Sequence, residues 1–325
     1  MKYRLNTTNY HTFSVFGVNN LPPRSYFIPY PTRAEADAVT PKRKRYASPK
    51  VECLNGIWDF KFYPLPAELP AELDTDAVAF DKLDVPSCWQ FRGYDRPFYV
   101  NYRYQFPYKP PVIPTTDKAG RVFSWLGCDT GLRPRWITPD EEYNFVGVYR
   151  RFFDVADADK RIVISFLGVA SCLDLYLNGK YIGYAEGSHN TAEFDLSGKV
   201  QPGQNELLAV VHRWCNGTYL ENQDMFRNNG IFRDVLLRTE EPADFWDIDA
   251  KTEKKDGRYT LTLTAETHAD TTVTFTLQGH GLTRTATVPT QDKTARAVFA
   301  DLDVTEWNAE DPVLYDLYYE TAAGC

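Results

Sequence analysis

The sequence predicts an all-β protein built as two sandwich domains, and three observations carry that expectation. Short runs of aromatic and β-branched residues alternate with polar ones and are bounded by Pro, Gly and Asn, the pattern of half-buried strands joined by turns. The alternation changes texture near Thr239, from runs rich in bulky aromatics to runs of small polar and apolar residues. With 325 residues the chain also exceeds one ordinary sandwich domain. A hydrophobic fraction of 43% with 25% charged residues reads as globular, with ample material for a core.

Residues 1 to about 50 hold many prolines, among them Pro22, Pro23, Pro29, Pro31 and Pro41, and no sustained period. They read as an extended arm laid over other surfaces, not as a domain. The basic run Lys42 to Arg45 within this stretch reads as a solvated face. From Val51, CLNGIWDFKFYPL places Trp58, Phe60 and Phe62 at period two, and KLDVPSCWQFRG follows as a second strand region. Asp117 to Asn144 is irregular, with Asp140, Glu141 and Glu142, and reads as an insertion. Beyond it, NFVGVYRRFFDV and RIVISFLGVASCLDLYLNGKYIGYAEG give successive strands, with Asn178-Gly179 as the turn of a hairpin. EFDLSGKVQPGQNELLAVV repeats the alternation and closes a first domain spanning 51–238. In a second domain, 239–325, GRYTLTLTAET, TTVTFTLQG and RTATV have the pattern of a compact antiparallel sandwich.

One stretch breaks these periods. From His212 to Arg238, HRWCNGTYLENQDMFRNNGIFRDVLLR crowds acids, aromatics and turn residues between two alternating runs, so two strands hold a polar loop on a rigid sheet. Within it Glu221 and Asp224 lie between Trp214, Tyr219 and Phe226. Carboxylates beside aromatic faces suit sugars, which offer hydroxyl donors and apolar ring faces. A second candidate is Asn101, set among Phe98, Tyr99, Tyr102 and Tyr104, although an Asn in such company is more often a strand-end amide.

Bulk charge narrows the partners. A net charge of −8 and a pI near 5.3 argue against nucleic acid or an anionic membrane, because a phosphate backbone needs clustered Lys and Arg. The start, MKYRLNTTNY, lacks a signal-peptide pattern, and no run is long enough to span a bilayer, so a cytoplasmic location is expected. Cysteines 53, 88, 128, 172, 215 and 325 form no C-x-x-C pair and read as reduced core thiols. Nor do the five histidines show metal-ligand spacing.

The stretch from Trp214 to Arg233 resembles the end of the sugar-binding domain of β-galactosidases in glycoside hydrolase family 2. The match runs without gaps through Trp214, Gly217, Tyr219-Leu220-Glu221, Gln223-Asp224-Met225, Arg227, Gly230-Ile231 and Arg233. Phe226 stands where the family often has Trp, and Asn229 where it often has Ser. LPPRSYFIPY is similar to that family's N-terminal arm, which packs on neighbouring domains and supports oligomer contacts. Val85-Pro86-Ser87 before Trp89, Phe194-Asp195, and Gly203 with Asn205 are further points of likeness. WNAEDPVLYDLYYE resembles the stretch that closes the family's second domain.

The resemblance implies a jelly-roll sandwich of galactose-binding type over 51–238, then an immunoglobulin-like sandwich over 239–325 that lacks its last strand, since TAAGC stops at a turn. It implies that Asn101 and Asp224 reach a galactose pocket and that Asp224 is also one ligand of a sodium ion. A hard oxygen ligand suits that ion. Retaining hydrolysis needs two carboxyl groups about 5 to 5.5 Å apart. In the family these groups, like the magnesium ligands, belong to a (β/α)₈ barrel whose alternation does not occur here, so no catalytic residue is expected in this chain. Asn205-Glu206 mimics the family's Asn-Glu acid/base pair, yet it stands in what reads as a turn entering a sheet edge. The expected partners are a β-galactoside or galactose, the barrel of the same protein, and further copies in a homo-oligomer. Two other readings are a stand-alone carbohydrate-binding module and an assembly or interaction unit.

Overall fold

A computed structural model describes residues 1–39, 46–95, 97, 99–100, 144–221 and 223–325. The basic run 42–45, the candidate Asn101, Cys128 and the expected insertion around Asp140 lie outside these residues. By internal contacts the chain divides into two units, residues 1–22 with 53–237 and residues 23–52 with 238–325. The first fifty residues are thus shared between the units, not held as one arm.

In chain order the first unit's strands open with β1 (Lys2–Arg4), β2 (Gly17–Val18), β3 (Val51–Cys53), β4 (Gly56–Tyr63), β5 (Glu72–Asp74), β6 (Asp81–Val85) and β7 (Tyr99–Val100). They continue with β8 (Val146–Val155), β9 (Arg161–Phe166), β10 (Val169–Ala170), β11 (Cys172–Leu177), β12 (Lys180–Glu186), β13 (Ala192–Asp195), β14 (Gly203–His212), β15 (Met225–Phe226), β16 (Gly230–Ile231) and β17 (Val235–Glu240). Two sheets form the sandwich, one of seven strands in the order β2-β12-β11-β14-β8-β4-β6 and one of four in the order β13-β9-β17-β3. This is the jelly-roll layering the sequence led us to expect. The hairpin between β11 and β12 turns at Asn178-Gly179, both at positive φ (49° and 81°), as a two-residue type I′ turn requires.

β14 explains why the alternation is incomplete in the middle of this sheet. Leu207, Ala209 and Val211 point into the sandwich core with Trp58, Phe60, Ile164 and Phe194. Leu208 and Val210 point to the other face beside Tyr176 of β11, where Tyr3 and Leu5 pack with them. A strand buried on both faces reads as a continuous apolar run. Residues 1–22 supply that cover, anchored where β1 pairs with β5 and β2 with β12. Asn205 and Glu206 belong to β14, which lies between β8 and β11, so they sit in a central strand and not in a turn at an edge. Both are buried in structural bonds, Asn205 to Asn178 and Glu206 to Thr75.

The second unit is an immunoglobulin-like sandwich of two three-stranded sheets. One has the order β18-β19-β22, from Phe245–Lys255, Arg258–Thr267 and Thr294–Leu302; the other has the order β21-β20-β23, from Leu282–Pro289, Thr272–Gly279 and Asp316–Glu320. Leu263, Ala265, Val273, Phe275, Ala297 and Tyr319 form its core. Phe27 packs against that core, and Arg33 stacks 3.7 Å over the Tyr318 ring. Thr32 caps the short helix α1 (Arg33–Asp37) by accepting from the Glu35 amide.

Among the described residues β23 is an edge strand, paired only with β20. An edge leaves half its backbone groups to solvent. We expect its amides to exchange with deuterium well before those of β11 and β14, which are paired on both sides. Equal protection across the three strands in a hydrogen-exchange time course would contradict this.

Candidate functional site

The irregular stretch after β14 forms a loop in which side-chain hydrogen bonds join short main-chain turns and ladders. Trp214 is fixed first, because the Asn144 amide donates to its carbonyl (3.1 Å) and accepts from its N–H (2.9 Å). The Arg213 guanidinium lies over the Trp214 ring at 4.7 Å. A single 3₁₀ turn over Asn216–Tyr219 follows, its start capped by the Thr218 hydroxyl, which accepts from the Cys215 N–H.

Glu186, at the end of β12, holds this turn. Its Oε1 accepts from the Tyr184 hydroxyl (2.6 Å) and the Asn216 amide (3.0 Å), and its Oε2 accepts from the Gly217 N–H (2.8 Å). The same Asn216 amide group donates to the carbonyls of Asn9, Thr12 and Val15 at 3.2, 3.0 and 3.3 Å. One carboxylate and one amide therefore tie the N-terminal segment to the loop. Burial pushes the Glu186 carboxyl up to about 7, against the three donors that favour its charged form, and the Glu221 charge adds to the rise.

Glu221 and Asp224, alike in the sequence, separate in the structure. Glu221 accepts from the Ser188 N–H (2.7 Å) and hydroxyl (2.6 Å), so it is a strut of the loop and not a free ligand group. Arg227 steadies the same turn by donating to the carbonyls of Glu221 and Gln223. Asp224 is exposed, just before β15, which pairs with β7 as a two-stranded ribbon with Met225 opposite Val100 and Phe226 opposite Tyr99. The Tyr99 hydroxyl donates to Asp224 Oδ1, and that bond holds the Tyr99 proton above its ordinary range. Tyr99 and Phe226 are half-exposed, at 51% and 56%, and meet edge to face at 5.6 Å, so the ribbon presents an aromatic surface beside one oriented carboxylate. Asn101 follows β7 in sequence and lies outside the described residues.

The loop then returns through Asn229 and Gly230. The side chain of buried Asn229 accepts from the Gln90 side-chain amide (3.0 Å), its backbone N–H donates to Gln90 Oε1 (2.9 Å), and its own amide donates to the Arg213 carbonyl (2.9 Å). Gly230, at φ 121°, passes so close to the sheet that a Cβ there would fall 2.8 Å from the Ser87 carbonyl oxygen. A cavity of about 190 Å³ lies beside the loop, walled in part by Ser188, His189, Glu221, Phe226 and Phe232.

A model of the glycosyl hydrolases family 2 sugar-binding domain matches residues 51–129 and 135–242, more than half the chain. The chain belongs to glycoside hydrolase family 2. It is 35% identical over 313 residues to a β-galactosidase of Actinobacillus pleuropneumoniae, covering 94% of this chain and 27% of that protein. A β-galactosidase of Enterobacter cloacae is 37% identical over 295 residues, covering 83% of this chain and 26% of its own length. The chain thus spans about a quarter of these family 2 relatives. The fold is shared with a Bifidobacterium dentium β-glucuronidase, at TM-score 0.55 and 21% identity over 83% of this chain and 45% of that one. It is shared also with a family 2 glycosyl hydrolase of Bacteroides cellulosilyticus, at TM-score 0.52 and 15% identity over 84% and 34%.

Several residues that shape this family 2 loop escaped sequence reasoning. Glu186 and Ser188 flank Gly187 in what reads as the end of a hairpin, and Gln90 as part of a strand. Nothing local marks them, because the loop residues they bond, Asn216, Glu221 and Asn229, lie 30, 33 and 139 residues away in the chain. Tyr99 was legible only as one aromatic among several.

None of the five described cysteines is in a disulfide. No helix among the described residues is long and apolar enough to cross a membrane.

The raised Glu186 value has a signed consequence. Its folded pKa exceeds the ordinary value of 4.5, so the folded state holds this proton more tightly, and the stability it contributes is full below about 4.5 and lost as pH rises through about 7. Glu186→Gln removes the titration. The unfolding free energy of the parent chain relative to Glu186→Gln should fall between pH 4.5 and 7 in urea melts. A difference that stays flat across that window would mean the carboxyl titrates normally.

Proposed function

We propose that this chain is the non-catalytic N-terminal portion of a β-galactosidase that hydrolyses terminal β-D-galactosides with retention. The observation that carries the reading is Asp224: of the two acids in the loop it alone is exposed, and Tyr99 orients it at the tip of the β7–β15 ribbon. In the complete enzyme Asp224 and Asn101 bind galactosyl hydroxyls, while the paired carboxylates and the magnesium sites belong to a barrel outside this chain. The family 2 match and the β-galactosidase names of the relatives support this assignment. A cytoplasmic homo-oligomer is part of the same reading.

The chemistry of Asp224 fits its second expected role. With Oδ1 taken by the Tyr99 hydroxyl, the exposed carboxylate still has an oxygen for a hard monovalent cation such as sodium. In this reading the remaining ligands of the ion come from the barrel. The ion, when bound, supplies fixed positive charge next to a sugar hydroxyl. Asp224 holds that hydroxyl, Tyr99 keeps the carboxylate from turning, and the Tyr99–Phe226 surface excludes water from one side.

In the complete enzyme Asp224→Ala should lower kcat/KM tenfold or more and blunt its sodium dependence, since a hydrogen bond to a charged acceptor is worth about 1.5–3 kcal/mol. Glu221→Ala should do less, and Tyr99→Phe should fall between. Unchanged kinetics for Asp224→Ala at saturating and at depleted sodium would sink the assignment. The chain by itself should turn over no chromogenic galactoside.

The exposed Tyr99–Phe226 pair favours one other reading, a stand-alone carbohydrate-binding module. Two polar groups and an aromatic edge cannot offset a sugar's lost freedom, so the chain alone should bind galactose no tighter than millimolar. Micromolar affinity by calorimetry would reverse that ranking.

A further inference from the structure

Among the described residues the β7–β15 ribbon pairs through two residues on each strand, Tyr99 and Val100 against Phe226 and Met225. A two-stranded ribbon has little stability of its own in water, so its place on the sandwich is set where its strands leave the folded body. Asp95, four positions before Tyr99, is the root of β7. Arg213 and Asn229 stand at the start and the return of the loop that carries β15. All three side chains are buried, and they meet.

The Asp95 carboxylate is the meeting point. Its Oδ2 accepts from the Gln90 side-chain amide at 3.0 Å and lies 3.7 Å from Arg213 Nε, in an ion pair whose side chains are only 7% and 2% exposed. The same Gln90 amide donates to Asn229 Oδ1 at 3.0 Å, and Asn229 donates to the Arg213 carbonyl, which closes a ring of contacts. The Arg213 guanidinium is fixed in turn by the rings of Phe145 and Trp214, 5.0 and 4.7 Å from their centres.

We propose that Asp95 is a positioning residue for Asp224: by bonding Gln90 and facing Arg213 it ties the root of β7 to both ends of the loop, and so sets the Tyr99 hydroxyl against the exposed carboxylate. For its effect on turnover this role rests on the reading of Asp224 as a sugar and sodium ligand; its effect on Tyr99 does not. Charge decides the residue type at position 95. An amide there would still accept from Gln90, whereas a carboxylate also compensates a guanidinium that has almost no contact with water. Once that charge is removed, the attraction that draws residue 95 onto the start of the loop is lost, and the strand that follows it is free to shift. A residue that only stabilised the fold would leave Tyr99 and Asp224 in register.

The test joins a local probe to a cycle of variants. In the whole chain labelled at tyrosine with carbon-13, the Tyr99 ring signal is identified by its loss in Tyr99→Phe, and its position without the carboxylate is read from Asp224→Ala. Asp95→Asn should move that signal about halfway or more to the Asp224→Ala position, while the signals of Tyr3 and Tyr176, outside this network, stay in place. In the complete enzyme Asp95→Asn should lower kcat/KM about three- to tenfold, and the double variant Asp95→Asn/Asp224→Ala should be no slower than Asp224→Ala, because a residue acting only through Asp224 then has nothing left to position. Gln90→Met keeps the Asp95–Arg213 pair and cuts the link to Asn229; it should move the Tyr99 signal the same way, and it decides the matter if Asp95→Asn folds poorly. An unmoved Tyr99 signal in a folded Asp95→Asn or Gln90→Met chain, or kinetic losses that multiply in the double variant, would overturn the proposal. Should Asp224→Ala itself leave turnover unchanged, the sugar reading falls and the Tyr99 signal alone decides the role of Asp95.

Discussion

The Asn216–Glu186 pair is the contact on which the first unit's outer face and its loop both depend. A single amide group meets a carboxylate and three main-chain carbonyls from Asn9 to Val15, while the same carboxylate holds the Gly217 N–H. The Asn9 and Thr12 carbonyls also accept the N–H groups of Thr12 and Val15, so the amide grips successive turns of the segment. With the β1–β5 and β2–β12 pairings, this tie keeps residues 1–22 on the sheet, and that cover permits β11 and β14 to be apolar on both faces.

From that node the loop is built outward as a chain of struts. Glu186 holds the 3₁₀ turn, Ser188 holds Glu221, Arg227 holds the carbonyls on either side of the turn, and Asn229 with Gln90 clamps the return. None of these bonds belongs to a strand ladder. They give a non-repetitive backbone the fixity that a site needs, and they leave one carboxylate, Asp224, facing out on a short ribbon. The contrast between Glu221 and Asp224 is one of occupancy. Two donors on Ser188 consume the first, whereas the second accepts one bond from Tyr99 and stays exposed.

Much of this was legible from residue order. The alternation of Trp58, Phe60 and Phe62, the hairpin at Asn178-Gly179 and the change of texture near Thr239 are local patterns, and local patterns record backbone preference and the period of burial. The irregular stretch from His212 to Arg238 stood out as a loop on strands for the same reason, and so did Asp224 as a candidate. Less legible was the double burial at the middle of the sheet, since a run such as ELLAVV fits several architectures until its second cover is known. The placement of Asn205-Glu206 in a central strand shows the limit well. PGQN has the composition of a turn, but only the pairing of β14 with β8, Asn205 opposite Phe153 and Glu206 opposite Phe152, places the pair inside the sheet.

By itself the sequence determined the all-β class, the two textures, the turn chemistry and the acid-rich loop, because each depends on residues within a few positions of one another. Tertiary structure alone decided which acid is a strut and which is exposed, and how the first fifty residues divide between the two units. These outcomes rest on partners far apart in the chain, such as Asn9 and Asn216 at a separation of 207 residues. Side-chain hydrogen bonds of that reach carry no period, so nothing in the order of residues announces them before the sheet has brought their ends together.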